Sequence, residues 1–217
     1  MQRRTLISSL VLLALCAAIA NPLAAQSRVA DAPGFEFPPE WAPHEAVWMG
    51  WSDDTAHHAV QVRMIEAMAP HVPIRLMVTS DSARAHAAEA LRAAGLDAGA
   101  VEYVVHPVPN FWTRDPGPLF LSDGASLAVA GFRWDEYGAP NERRLLGGPL
   151  LARRGEIAGD VAERMGLETR TTDLVAEGGG IEVSDDVLLT YRQTALQRNP
   201  LVPIEEIERE YLRMYGK

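Results

Sequence analysis

The densest group of chemistry-bearing side chains in the sequence is Asn110-Phe111-Trp112-Thr113-Arg114-Asp115-Pro116-Gly117-Pro118. An indole, a guanidinium and a carboxylate stand within four residues, and the Pro-Gly-Pro run then turns the chain sharply. Asp115 beside Trp112 suits a planar cation. The carboxylate accepts the paired N–H donors of a guanidinium, and the indole face attracts the same charge. The same residues admit an architectural use, with an Arg114–Asp115 ion pair fixing the turn and Trp112 in the core. Ion pairs at turns outnumber ligand sites, so spacing alone leans toward that second use.

A second cluster, Glu177-Gly178-Gly179-Gly180-Ile181, sets a carboxylate against three glycines that permit close backbone approach. Its spacing is not a dinucleotide fingerprint, and no helix follows it. Glu177 can face a cationic ligand or cap a turn, and both uses stay open. The stretch from Gly131 to Gly138, with Phe132, Arg133, Trp134, Asp135, Glu136 and Tyr137 between them, fits a pocket wall or a hairpin end. Gly124-Ala125-Ser126-Leu127-Ala128 lacks the last glycine of a nucleophile elbow and leads into a strand. His57 and His58 are neighbours at a helix start and do not easily share a metal. No His, Cys, Asp or Glu group has ligand spacing, so no metal is expected.

The elements that must position these residues are read from periodicity. Val47–Trp51 is a short apolar run ended by Ser-Asp-Asp, a buried strand. From Ala56 to Met68, Val60, Met64 and Met68 recur every four positions, with Val62 and Ile65 widening the stripe, which predicts an amphipathic helix stopped near Pro70. Ile74–Val78 is β-like, Asp81 or Ser82 caps an alanine-rich helix running to Gly95, and Val101–Val105 is a third strand. That alternation predicts an α/β domain with parallel pairing. Further on, Pro118–Leu121 and Ser126–Trp134 form a hairpin about Ser122-Asp123-Gly124. A helix over about Leu150–Met165 and a strand over Glu168–Val175 follow. A second hairpin, Ile181–Val183 and Val187–Tyr191, precedes a charged helix over Pro203–Tyr215 that ends at Gly216. Hairpin followed by helix thus occurs twice at a spacing of roughly 60 residues, a weak repeat of a ββαβ unit.

Composition bounds the setting. Arg3 and Arg4, the apolar run Leu6–Ala20 and the small-residue stretch Leu23-Ala24-Ala25 make residues 1–25 a cleavable signal peptide, too short to span a bilayer. The mature protein is expected in the periplasm or secreted, with no membrane association after cleavage. Residues 26–40, polar and rich in proline and glycine, are expected to be a linker, and 41–217 the folded domain. The one cysteine, Cys16, lies within the signal, so the mature chain has no disulfide, thiolate ligand or cysteine nucleophile. Apolar residues make up 47% and charged residues 23%, which supports a real core. A net charge of −9 disfavours nucleic acid as a partner and suits cationic ligands, or simply solubility.

Five motifs stand in a telling order: Phe37-Pro38-Pro39-Glu40-Trp41, the Val47–Trp51 strand, Trp112 to Pro118, Glu177-Gly178-Gly179 and Arg198-Asn199-Pro200. From about Phe35 to Lys217 the chain resembles the agmatine deiminase family, which includes the bacterial peptidyl-arginine deiminases. The resemblance implies an α/β fold, an incomplete pentein propeller of about three of five ββαβ units. It implies hydrolysis of a guanidino group to a ureido group with loss of ammonia, in putrescine or arginine metabolism, without metal or cofactor. A thiolate attacks the guanidinium carbon while a histidine serves as acid and then base. By motif match Asp115 is a catalytic carboxylate holding the guanidinium, Trp112 and Glu177 bind substrate, and Arg114 braces the turn.

The chain also departs from the family pattern. No histidine here precedes an aspartate by two positions, Asn110 stands where the family has Asp, and Glu182 where agmatine deiminases have His. Phe132–Gly138 departs from the agmatine-pocket pattern, which leaves agmatine, arginine and peptidyl-arginine all open as substrates. The expectation is a truncated, inactive deiminase domain that tends to self-associate. The alternative is a non-catalytic exported module that binds a guanidinium.

Overall fold

The structure, a computed structural model, describes residues 34–107, 109, 111–138 and 155–217. Strands β1 (Val47–Gly50), β2 (Ile74–Val78) and β3 (Val101–Val105) form a parallel sheet in that order, as the alternation predicts. Helices α1 (His58–Met68) and α2 (Asp81–Ala93) make the two crossovers. Ser80 caps α2, its hydroxyl accepting from Ala83 N, one residue earlier than expected. Gly95, at φ +80°, stops the helix in the left-handed region that glycine adopts without strain.

The buried stripe of α1 keeps part of the expected one, with Val62 and Ile65 buried and Met68 packed against the same core, and departs from it elsewhere. Val60 and Met64 are exposed, while Gln61, Val62 and Ile65 face the sheet. Two overlapping stripes fit the apolar spacing, and hydrogen bonding decides between them. Gln61 donates to Gly50 O at 2.6 Å and accepts from Ser52 N at 3.0 Å, satisfying both backbone groups where β1 ends.

Strands β4 (Leu119–Ser122) and β5 (Leu127–Arg133) form the expected antiparallel hairpin, and β6 (Glu168–Val175) pairs parallel with β5. Helix α3 (Ile157–Met165) crosses from β5 to β6; the expected start of this helix, residues 150–154, lies outside the described residues. α3 is shared by the two sheets. Ile157 and Val161 pack with Met77 and Val104, while Ala158 and Ala162 pack with Val129. His106, beyond the end of β3, meets Asp160 of α3 at 2.9 Å and reinforces that junction.

The chain then forms a second hairpin, β7 (Ile181–Val183) with β8 (Leu188–Thr190). Helix α4 (Arg192–Arg198) follows, a short element that periodicity did not reveal. Helix α5 (Ile204–Tyr215) runs to Gly216 as predicted. Tyr211, Met214 and Tyr215 of α5 close a core with Phe37, Leu121, Ala130 and Leu174. Phe37 is buried there and Glu36 bridges Ser122, so the packed chain begins before Trp41, inside the stretch read as a linker. The result is a mixed α/β fold of two three-stranded sheets and one hairpin.

Candidate functional site

Open α/β sheets bind ligands beyond the carboxyl ends of their strands. Both the Ser52–His58 turn after β1 and the Phe111–Gly117 turn after β3 lie at that end. His57 bonds Ser52 Oγ at 2.9 Å and stacks on Phe111 at 4.6 Å, and Phe111 meets Trp112 edge-on at 4.9 Å. His58 instead bonds Ser52 O and stacks on Trp51, so the two histidines diverge. Trp112 is 63% exposed, an outward-facing indole and not the core residue of the architectural reading.

Asp115 joins the two glycine-rich clusters. Its backbone oxygen accepts from Gly178 N at 3.1 Å and its Oδ1 accepts from Gly179 N at 3.1 Å. A Cβ at Gly178 would overlap the Arg114 carbonyl oxygen, so that position must be glycine, and one at Gly179 would push the Asp115 carboxylate from its place. Arg114 turns away from Asp115's carboxylate and pairs with Glu40, its guanidinium lying 5.8 Å from the Phe37 ring centroid. Burial pushes the Arg114 pKa below its ordinary value, with Glu182 and Asp115 acting in the opposite sense. Arg114 therefore ties the site turn to the 37–40 segment.

The second oxygen of Asp115 is also engaged. Tyr137 donates its hydroxyl to Oδ2 at 2.5 Å. Burial first, then the hydrogen bond to Asp115, raises the Tyr137 pKa far above the ordinary tyrosine value, so the hydroxyl keeps its proton. Tyr137 rests edge-on against Trp134 at 4.7 Å, and Gly138 N donates to Asp135 Oδ1 at 2.6 Å. From sequence this stretch reads as a pocket wall or a hairpin end, and nothing in it singles out Tyr137. Its backbone gives no signal, because the left-handed φ values of Glu136 and Tyr137, 59° and 64°, fall on residues that rarely adopt them.

Glu177, expected to bind substrate, has both oxygens held by Arg198, at 3.1 Å from Nε and 2.9 Å from Nη2. The two side chains are only 11% and 14% exposed. Asn199 accepts from Val175 N and donates to the oxygens of Val175 and Ala195, clamping α4 to the end of β6. Arg198 also lies against Gly138, whose Cβ would come within 3.1 Å of Nη1. A closed circuit results: Arg198 holds Glu177, the 178–180 turn holds Asp115, Asp115 holds Tyr137, and the Tyr137 turn returns to Arg198. The Arg-Asn-Pro motif thus supports the site from behind. Asn110 lies outside the described residues. Among the described residues no group of three or more His, Cys, Asp or Glu side chains is placed to hold a metal ion.

The model of the Porphyromonas-type peptidyl-arginine deiminases matches residues 36–217. The chain belongs to this family. It is 31% identical to the agmatine deiminase of Pseudomonas aeruginosa strain LESB58 over 82% of this chain and 50% of that protein. It is 30% identical to the agmatine deiminase of Ectopseudomonas mendocina over 83% of this chain and 51% of that one. The fold is similar to that of C. jejuni agmatine deiminase solved with substrate bound, with a TM-score of 0.67 at 18% identity over 84% of this chain and 54% of that chain. The family member described here spans about half the length of the curated relatives it matches.

Proposed function

We propose that this chain carries the guanidinium-binding part of an agmatine deiminase-like hydrolase, in which Asp115 holds the guanidinium and Trp112 lines its approach. The observation that carries the reading is Asp115 itself. It is a carboxylate fixed by the backbone of the Gly178–Gly180 turn, in the same turn as the exposed indole of Trp112, at the carboxyl end of a parallel sheet. A planar cation meeting a carboxylate and an indole gains two parallel charge-assisted hydrogen bonds and attraction to the ring face. Glu177 serves the site through Arg198, as a positioning residue.

The reaction is hydrolysis of the guanidino group to a ureido group with release of ammonia. A thiolate adds to the guanidinium carbon, ammonia leaves with a proton from a histidine, and water cleaves the resulting covalent intermediate. Asp115 orients the carbon for that attack. Residues 26–217 contain no cysteine, so the mature chain by itself binds the cation without turning it over. Binding alone gives no acceleration. We place the ββαβ unit β4-β5-α3-β6 and the following β7-β8 hairpin in a pentein arrangement, and the mature protein in the periplasm or medium after cleavage near Gln26.

The test is calorimetric titration of agmatine into residues 26–217 and into the same chain carrying Asp115→Asn, with ureido product and ammonia assayed in parallel. Asp115→Asn should cost about 2–4 kcal/mol of binding, the worth of a charge-assisted bidentate contact. Equal affinity in both proteins would make Asp115 structural only. Turnover above the buffer blank would require a nucleophile other than thiolate. A non-catalytic guanidinium-binding module gives the same titration. It separates from the deiminase reading if no product forms once a cysteine-bearing remainder of the domain is supplied.

A further inference from the structure

We propose that Tyr137 is an internal competitor for the guanidinium: in the ligand-free protein its hydroxyl occupies the place on Asp115 that the cation takes, and the cation must displace it. The proposal rests on the assignment of Asp115 as the guanidinium carboxylate.

Four observations carry it. The hydroxyl lies 2.5 Å from Oδ2, while Oδ1 is already committed to Gly179 N. A carboxylate offers about four acceptor sites, and a bidentate guanidinium needs one on each oxygen along a shared edge. With one site on each oxygen taken, by Gly179 N and by the Tyr137 hydroxyl, half of that capacity is spent before a cation arrives, and the fork competes with the phenol for Oδ2. The ring is 45% exposed and touches Trp134 only edge-on, so it can leave without opening the core. Glu136 and Tyr137 are successive non-glycine residues with left-handed φ. Such backbone strain persists where surrounding contacts enforce it, and it clusters at ligand clamps. Here the hydrogen bond to Asp115 acts beside the Trp134–Glu136 and Gly138–Asp135 bonds, so a cation that takes over the carboxylate removes one of the contacts that hold the turn.

Physically, the hydroxyl offsets the cost of a half-buried carboxylate while no cation is present. It does so at the expense of affinity, because the apparent dissociation constant is the intrinsic one divided by the fraction of molecules with Tyr137 displaced. A hydrogen bond to a charged group, partly offset by turn strain, sets that fraction near a tenth, so removing the hydroxyl should tighten binding about tenfold. A residue that merely supported Asp115 would give the opposite sign.

Agmatine is titrated calorimetrically into the full chain and into Tyr137→Phe, Tyr137→Leu and Asp115→Asn, with thermal unfolding run on each to confirm folding. Both Tyr137 variants should bind about tenfold more tightly than the parent, and Asp115→Asn should lose binding. Agmatine should also perturb the near-ultraviolet tyrosine absorption of the parent, as the phenol leaves the carboxylate, and should leave that of Tyr137→Phe unchanged. Unchanged or weaker binding by the Tyr137 variants, with binding still lost in Asp115→Asn, would overturn the role of Tyr137 and leave that of Asp115 intact. Undiminished binding by Asp115→Asn, or no heat from any of the proteins, would overturn both.

Discussion

Replacing Glu177 by glutamine keeps the side-chain shape and removes only its charge. In the structure that charge is matched by Arg198 through two hydrogen bonds, between side chains 11% and 14% exposed. Removing one partner of a buried ion pair typically costs about 3–5 kcal/mol, because the other charge is left unpaired. Glutamine retains one acceptor for the guanidinium and a little water reaches both groups, which lowers the expected loss to about 2–3 kcal/mol. For a domain of this size each kcal/mol moves the melting temperature by about 2–4 °C, so Glu177→Gln should melt about 4–12 °C lower. The double variant Glu177→Gln/Arg198→Met removes the orphaned cation and should recover part of that loss. Asp115→Asn, at a partly exposed position, should melt within about 2 °C of the parent by the same reasoning. Scanning calorimetry on the three variants at neutral pH makes the comparison. A melting temperature for Glu177→Gln within a degree of the parent, or a larger drop for Asp115→Asn, would refute the division between a supporting carboxylate and a binding one.

Gln61→Leu should lose about 2–4 kcal/mol by denaturant unfolding, since Gly50 O and Ser52 N are left buried without partners; an unchanged midpoint would show that water replaces the amide. Tyr215 is fully buried, and its hydroxyl has no hydrogen-bond partner among the described residues, so Tyr215→Phe should gain about 1 kcal/mol in the same measurement. Burial also holds the Tyr215 pKa well above its ordinary value of 10.0. The unfolded chain therefore ionises first as pH rises above 10, and stability falls through that window; Tyr215→Phe should flatten the fall in part, since burial also raises Tyr211, to about 12, together with Tyr137 and Tyr103. Gly179→Ala drives a Cβ into Asp115 Oδ1 and should abolish agmatine binding in calorimetry; retained affinity would mean that the 178–180 turn does not set the carboxylate. Among the described residues strand β8 pairs only with β7, and it carries Leu189 at 64% exposure, followed by Tyr191 at 75%, so sedimentation of the chain should reveal dimers or larger species. A monodisperse monomer would count against that surface as an association site.

Much of the fold could be read from the sequence because it is written in local signals. The alternation of β1 to β3 with α1 and α2, the β4–β5 hairpin about Asp123-Gly124, and the stop of α5 at Gly216 all rest on periodicity, caps and turn residues within a few positions of one another. The weight on the Trp112–Pro118 and Glu177–Gly180 clusters was similarly local, since an aromatic next to a carboxylate and a glycine run are visible in a single window. Helix α4 was missed because seven residues carry too few turns to display a period. The stripe of α1 is legible at Val62 and Ile65 but not at Gln61, because hydrophobicity cannot rank glutamine as a core residue. Only the unsatisfied backbone groups at the end of β1 make it one.

The sequence by itself determined that a carboxylate, an indole and a set of glycines were available, and that an α/β scaffold would carry them. Only the tertiary structure decided which partner each would have. Arg114 and Asp115 are adjacent in sequence, yet their side chains part, one to Glu40 and the other to Gly179 and Tyr137. Glu177 and Asp115 are both carboxylates in glycine-rich turns, yet one is matched by Arg198 and the other is left with acceptor capacity for a cation. The physical reason is that pairing of charges depends on distances across the fold between residues tens of positions apart. Those distances are fixed by packing of sheets and helices, which no local window of sequence contains.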